Sequence, residues 1–108
     1  MDKRVFEFYV AGVKHHRAGE VIEEMAENHS LELRKDSANP YDPNAVKLLY
    51  YSNMQDSFVP IGFVPKKHSE VITNFISIAD FPTATITRLE PAAQPWEMIK
   101  VRVYDLEG

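Results

Sequence analysis

Residues 30–51 read SLELRKDSANPYDPNAVKLLYY, which places two strand-like segments on either side of the densest turn signal in the chain. Leucines alternate with charged residues in Ser30–Lys35, and apolar or aromatic residues return at every second position in Ala45–Tyr51. This period of two is typical of strands with one buried face. The two prolines between the segments fix their own φ angles and keep the preceding residues out of the α region. The stretch therefore predicts two strands joined by a rigid loop.

The same period predicts four more strands, and a helical period of apolar residues predicts two short helices. The strands are Val5–Val10, Phe58–Val64, Thr83–Leu89 and Met98–Tyr104, and the helices are Gly19–Asn28 and Lys66–Ile78. Pro60 lies within one of the strands. Because proline cannot donate a ladder hydrogen bond, this position predicts an edge strand or a bulge.

Six strands and two short helices in 108 residues predict a mainly β fold, which we interpret as a small OB-like or SH3-like β-barrel. Two helices are too few to serve as the crossovers of a parallel α/β layer. No repeat or Gly/Ser linker divides the chain, so residues 1–108 are expected to form one domain. No apolar run reaches the ~18–20 residues that span a bilayer, and we expect a cytoplasmic protein with no membrane partner.

The net charge of −4 is the main argument against nucleic-acid binding, because the chain has twelve basic and sixteen acidic side chains. Generic nucleic-acid binders carry a broad basic surface that neutralises phosphates. Four of the acidic residues, however, fall within the first predicted helix: Glu20, Glu23, Glu24 and Glu27. Without them the chain is balanced at twelve charges of each sign. Since charges are felt within a Debye length of ~8 Å, the pattern is compatible with a small contact to few phosphates.

Two segments carry side chains suited to recognition. Val13–Arg17 contains four consecutive side chains that are cationic or can become so, and its simplest interpretation is a solvated basic turn. In Asn39–Asn44, the Asn and Asp side chains can bond nearby backbone amides and stiffen the loop. Tyr41 offers a ring for base stacking, and Asp42 offers a carboxylate that accepts a hydrogen bond from a hydroxyl. The alternative is a structural turn in which Tyr41 packs as a lid.

The sequence offers no constellation for catalysis or metal binding. None of its serines lies in a nucleophile-elbow motif. Asp36 and Asp42 lack the third acidic ligand that a metal-dependent nuclease would need. The chain has no cysteine, and the adjacent His15 and His16 would point to opposite faces of a strand. We therefore expect a protein that is not an enzyme and that holds neither a metal nor a cofactor.

Four segments resemble, in their order, the sequence of HIRAN domains: GVKHH at 12–16, GE at 19–20, NPYDPNAVK at 39–47 and IGFVPK at 61–66. The resemblance covers nearly the whole chain. HIRAN domains occur at the N-terminus of DNA-repair helicases of the Rad5 and HLTF type and as stand-alone bacterial or phage proteins. The resemblance implies an OB-like barrel that binds single-stranded DNA and, in the helicase-linked members, captures a 3′-hydroxyl end.

The resemblance also implies roles for residues of the Asn39–Asn44 loop. Asp42 is similar to the family's acceptor for the terminal 3′-hydroxyl group, and Asn39 lies beside it. Tyr41 is similar to the ring on which the terminal nucleotide stacks. Together these residues would form the pocket for a strand end. A helicase or nuclease encoded elsewhere is the expected protein partner.

Outside the loop, the resemblance implies lysines that contact phosphate and further ring positions that can stack on a base. Lys14 matches the basic residue that follows the first strand, and Lys66 matches a lysine that contacts phosphate. His15 stands where the family has an aromatic residue. Phe63 stands where the helicase-linked members have a polar ring, so it can stack on a base but cannot donate to a phosphate.

The competing hypothesis is a protein-interaction or regulatory module, in which an aromatic patch binds the partner. The patch would consist of Tyr41, Tyr50, Tyr51 and Phe63. The DNA hypothesis instead relies on the basic residues of two segments, namely Lys14, Arg17, Lys66 and Lys67. DNA binding through these residues would weaken steeply with added salt, whereas an apolar protein contact would not.

Overall fold

The computed structural model describes residues 4–13, 16–76 and 82–105, with the side chains of all but residues 4, 5, 75 and 105. Six strands, two α-helices and one 3₁₀ turn follow one another along these residues. They are β1 (Arg4–Tyr9), α1 (Ala18–Val21), β2 (Ser30–Lys35), β3 (Val46–Ser52), β4 (Ser57–Phe63), α2 (Lys66–Ile76), β5 (Thr83–Leu89), the 3₁₀ turn (Pro95–Glu97) and β6 (Ile99–Asp105). Within this part of the chain, no helix combines the length and the apolar character that crossing a membrane requires.

All six strands belong to one antiparallel sheet, in the order β1-β6-β5-β2-β3-β4. The mainly β prediction is therefore confirmed. β3 and β4 form a hairpin, and β4 lies at the end of the strand order. Leu48 pairs with Gly62 whereas Leu49 pairs with Pro60, so the ladder shifts register beside the proline. Pro60 thus has both features that its chemistry predicts, an edge strand and a bulge.

The sheet is not closed into a barrel, which corrects the barrel part of the sequence-based interpretation. Among the described residues, the two edges come together at a bridge between Ala11, just after β1, and Phe63, at the end of β4. The amide of each residue donates to the carbonyl of the other at 2.8 Å. Beyond the bridge, Gly12 turns the chain away with a φ of 68°. The Arg17 amide then bonds the Pro60 carbonyl at 3.1 Å. The chain leading into α1 therefore occupies the edge of β4 that a closing strand would need.

The hydrophobic core lies between the inner face of the sheet and the two α-helices. Its fully buried side chains come from five strands and from both α-helices, and the largest are Leu31, Leu48, Ile61, Ile72, Ile86 and Ile99. Each such side chain stabilises the fold by roughly 1.5–3 kcal/mol through its removal from water. The core holds the loops at the ends of β1, β3 and β4 in fixed positions relative to one another.

The first helix is shorter than its sequence pattern predicts, because the side chains of β3 bind the chain that follows it. α1 ends at Val21. The Tyr50 hydroxyl donates to the Glu24 carbonyl at 2.9 Å, and the Ser52 hydroxyl donates to the Glu24 carboxylate at 2.7 Å. These contacts hold residues 22–24 in turns, and Asn28 has a positive φ of 77°. The end of the second helix, predicted at Ile78, lies outside the described residues.

We expect Gly62→Ala to destabilise the fold by opening the bridge between the sheet edges. A Cβ atom at this position would lie 2.5 Å from the Ala11 carbonyl oxygen, and the φ of Gly62 is 156°. Forcing this overlap should cost about 1–3 kcal/mol of unfolding free energy, measured by urea denaturation.

Gly19→Ala is the matched control, because a Cβ atom on this α1 residue would meet nothing within 4 Å. It should stabilise the protein by about 0.5–1 kcal/mol through helix propensity. Equal unfolding midpoints for the two variants would contradict the role assigned to Gly62.

Candidate nucleic-acid interface

The Asn39–Asn44 loop is held by its own side chains. The Asn39 side-chain oxygen accepts hydrogen bonds from the amides of Tyr41 at 2.8 Å and Asp42 at 3.0 Å. The Asp42 carboxylate accepts a hydrogen bond from the Asn44 amide at 2.9 Å. These bonds satisfy three successive backbone donors within the loop. The rigidity expected from the prolines is therefore reinforced by side-chain capping.

Tyr41 does not pack as a lid over the domain. Its side chain is 87% exposed, the most exposed of the large hydrophobic side chains among the described residues. The loop beneath it is fixed by the bonds to Asn39, so the ring is presented to solvent from a rigid base. An exposed ring on a preorganised loop is suited to stacking, because little conformational freedom is lost on binding.

The carboxylate of Asp42 is also tied to α2, through a residue that the sequence pattern does not single out. Ser69 is 2% exposed, and its hydroxyl lies 2.8 Å from the Asp42 carboxylate and 2.9 Å from the Lys66 carbonyl. The contact joins the loop to the first turn of α2 and places Asp42 near Lys66. A serine 27 positions along the chain from Asp42 has no sequence signal that links the two.

Phe63 lies where β4 ends, against the turn that follows β1. Its ring meets that of His16 edge to face, with centroids 4.9 Å apart, and the His16 Nδ1 lies 2.7 Å from the Gly12 carbonyl oxygen. Gly12 and His16 are thereby held beside the end of the β3–β4 hairpin. Lys14 and His15, two of the predicted site residues, lie outside the described residues.

The structure brings the other predicted site residues to one end of the β3–β4 hairpin. The Asn39–Asn44 loop leads directly into β3, and Phe63 ends β4. The amide of Val64 bonds the carbonyl of Val46 at 3.0 Å, which holds the start of β3 beside the chain that enters α2. Asn39, Tyr41, Asp42, Phe63 and Lys66 therefore share one corner of the domain.

Arg17, one of the basic residues on which the DNA hypothesis relies, is engaged by neighbouring side chains. Its guanidinium forms an ion pair with Glu20 at 2.8 Å and donates to the Gln55 side chain at 2.9 Å. The same hydrogen-bonded pair lowers the pKa of the Glu20 carboxyl group and raises the pKa of Arg17.

The exposed Lys66 and Lys67, at the start of α2, are not ion-paired to any described residue.

His68 adds an aromatic contact to the start of α2. Its ring stacks on Phe8 with centroids 5.6 Å apart and meets Phe6 edge to face at 6.2 Å. Burial, followed by the nearby charge of Lys67, lowers the pKa of His68 below its ordinary value of 6.5. The imidazole is therefore neutral at pH 7, and the positive charge at this end of α2 comes from the lysines.

The aromatic patch of the protein-interaction hypothesis is not assembled. Tyr50 is 7% exposed, and its hydroxyl is bound to the Glu24 carbonyl, so it belongs to the inner face of β3. Tyr51 points to the opposite face and is 41% exposed.

In the described part of the chain, no three His, Asp or Glu side chains gather as a metal site would require.

The fold and this corner define a small antiparallel-sheet binding domain, with an exposed ring and a fixed carboxylate beside unpaired lysines. The chain belongs to the HIRAN domain family, whose model matches residues 3–104. HIRAN domains are DNA-binding modules and not catalytic ones. The resemblance inferred from the sequence segments is therefore confirmed.

Two solved structures share the fold. A protein from Lactobacillus plantarum is 13% identical, with a TM-score of 0.71 over 95% of this chain and 96% of its own. The HIRAN domain of human HLTF is 17% identical, with a TM-score of 0.66 over 93% of this chain and 73% of its own. No curated protein matches the chain significantly.

We expect Ser69→Ala to destabilise the protein by about 1 kcal/mol, since it removes a hydrogen bond to a partly exposed carboxylate. Urea denaturation measures the change. Ser57→Ala, at an exposed position in β4, is the control and should stay within about 0.5 kcal/mol of the parent. Identical effects of the two substitutions would contradict the structural link between Asp42 and α2.

Acidification is expected to destabilise the fold through His68. Because its folded pKa is lowered, the unfolded chain binds this proton more tightly. The contribution of His68 is present above the unfolded pKa of 6.5 and is lost as the pH falls through the lower folded value. His68→Phe keeps a ring against Phe8 but does not titrate. Between pH 7.5 and 5.5, this variant should lose less unfolding free energy than the parent; equal losses would contradict the assignment.

Proposed function

We propose that this chain is a non-enzymatic module that binds single-stranded DNA and holds its 3′-hydroxyl end in the Asn39–Asn44 loop, in DNA repair or replication. The observation that carries the proposal is the fixed carboxylate of Asp42 beside the exposed ring of Tyr41. Membership of the HIRAN domain family supports the DNA-binding part.

The geometry of Asp42 supports selection of a hydroxyl over a phosphate at the strand end. One carboxylate oxygen accepts from the Asn44 amide and the other lies beside the Ser69 hydroxyl. Each oxygen has two lone pairs, so the group can still accept a hydrogen bond from a ligand. A 3′-hydroxyl can donate that bond. A 3′-phosphate is repelled by the carboxylate, because both groups are negative.

Aromatic stacking would supply affinity that does not depend on base identity. Tyr41 is presented from the rigid loop, and a base stacked on such a ring gains about 1–3 kcal/mol. Phe63 provides a second ring at the same corner, next to His16. By the family resemblance, His15 would add a third ring.

Phosphate contacts are expected to be few. Lys66 starts α2 close to Asp42, and Lys14 is the second phosphate contact that the family resemblance implies. Each phosphate neutralised on a single strand contributes about 0.7 to the slope of log affinity against log salt. A slope of small magnitude is therefore expected, with modest affinity, which agrees with the acidic net charge of the chain.

The decisive measurement is fluorescence anisotropy with a short oligonucleotide that carries either a 3′-hydroxyl or a 3′-phosphate. We expect the hydroxyl form to bind at least about tenfold more tightly, which corresponds to about 1.4 kcal/mol. Asp42→Ala should remove this preference, because the acceptor and the repelling charge are both lost. Negligible binding of both strands at low salt would refute the DNA-binding proposal.

Asp56→Asn is the matched control. Asp56 lies in the β3–β4 turn, at the other end of the hairpin, and its positive φ of 51° is tolerated by Asn. The substitution removes the same charge as Asp42→Ala and should leave the end preference intact. If the parent protein binds the 3′-hydroxyl and 3′-phosphate strands with equal affinity, the DNA-binding proposal stands but end capture is overturned.

A further inference from the structure

Most of the cationic side chains that the structure describes are neutralised by neighbouring glutamates. One of these cations precedes α1 and the other four lie on strands of the sheet: Arg17, Arg34, Arg88, Lys100 and Arg102. Glu7 alone holds both Lys100 and Arg102, at 3.0 and 2.8 Å. A cation held in this way offers little net charge to a phosphate.

Lys47 differs from these cations, because no described carboxylate lies within ion-pair distance of it. It is partly exposed on β3, between Val46 and Leu48, whose side chains are fully buried on the inner face. The alternation along the strand therefore directs Lys47 to the outer face. Lys47 is thus an uncompensated charge on the side of the sheet that faces solvent.

The strand register places Lys47 beside the candidate site. Lys47 pairs with Phe63 across the β3–β4 ladder, and Phe63 pairs with Ala11 across the bridge between the sheet edges. Directly opposite side chains on neighbouring strands lie ~4.5–5.5 Å apart at Cβ. Phe63 consequently has Lys47 on one side and the ring of His16 on the other. Three residues further along the chain, Lys66 begins α2.

We propose that Lys47 binds an internucleotide phosphate of the single strand, one linkage upstream of the phosphate held by Lys66. The inference rests on the proposed function and assigns a role to Lys47, the last residue of the 39–47 segment, for which the resemblance implied none. The strand end lies at Asp42, the preceding nucleotide passes over Phe63, and its 5′ phosphate meets Lys47. A cation beside an aromatic ring is the arrangement by which single-strand binders follow the backbone.

The contact with the backbone ends at Lys47. The next cation in the same row is Arg34, which pairs with Lys47 across the β2–β3 ladder. Arg34 forms an ion pair with Glu32, and its guanidinium lies over the ring of Phe58 at 5.6 Å. These contacts neutralise Arg34 and direct it along the sheet. The site therefore binds the last few nucleotides of a strand and does not coat a long one.

A set of oligonucleotides with one neutral methylphosphonate linkage tests the proposal without altering the protein. Each strand carries a free 3′-hydroxyl, and the neutral linkage is moved one step at a time from that end. In the parent protein, affinity should fall when the neutral linkage occupies either of the two positions nearest the end. Lys47→Gln should abolish the loss at the second position and retain the loss at the first.

The salt dependence supplies an independent readout. Lys47→Gln should reduce the magnitude of the slope of log affinity against log salt by about 0.7, which is the value for one phosphate on a single strand. Lys47→Arg should keep the parent slope. The control is Arg88→Gln. It removes an exposed cation of β5 that is ion-paired with Glu90, and it should leave the slope unchanged.

The outcomes separate this proposal from the proposed function. If Lys47→Gln changes neither the slope nor the methylphosphonate profile while Asp42→Ala still removes the end preference, Lys47 is not a phosphate contact and end capture stands. If the affinity of the parent falls by the same small factor wherever the neutral linkage is placed, the assignment of Lys47 to one phosphate is also wrong. If the parent binds no strand at low salt, both proposals fail. If an acidic peptide displaces the strand and binds the parent as tightly as the strand does, Lys47 belongs to a protein-binding surface instead.

Discussion

The pair of backbone hydrogen bonds between Ala11 and Phe63 is the constraint on which the candidate site depends. It joins the two edges of an otherwise open sheet, and it requires Gly62 because a side chain there would collide with the Ala11 carbonyl. The bridge brings the turn after β1 against the end of β4, where the rings of His16 and Phe63 meet. Together with the bond from the Arg17 amide to the Pro60 carbonyl, it fixes His16 relative to the β3–β4 hairpin that follows the Asn39–Asn44 loop.

Charge pairing, rather than net charge, determines where this domain can attract a phosphate. The chain carries −4 overall, and on the described surface glutamates neutralise cations such as Arg17 and Arg102. Lys47, Lys66 and Lys67 are left without described ion-pair partners, and they lie where β4 runs into α2. A weakly acidic protein thereby retains, at this corner, cations that no described carboxylate pairs with.

The fold elements were largely predictable because each strand carries its own period of two. β2 and β5 have the predicted bounds, and Pro60 alone indicated the edge and the bulge of β4. The prediction failed at α1, where the apolar period continues beyond Val21 but Tyr50 and Ser52 bind Glu24 and hold the chain in turns. Barrel closure failed for a similar reason, since the chain entering α1 occupies the edge of β4. Both errors arose from contacts between residues far apart in sequence.

The sequence by itself determined the strands, the rigid loop with its Tyr41 and Asp42, and the family to which the chain belongs, because these depend on residue types at short spacing. Only the tertiary structure decided which charges remain unpaired, that Tyr41 is exposed, and that Ser69 holds Asp42. It also placed Lys47 opposite Phe63, through a register that is set by the pairing of β3 and β4. The physical reason is that ion pairs, burial and strand register join residues distant along the chain, and no local pattern records such partners.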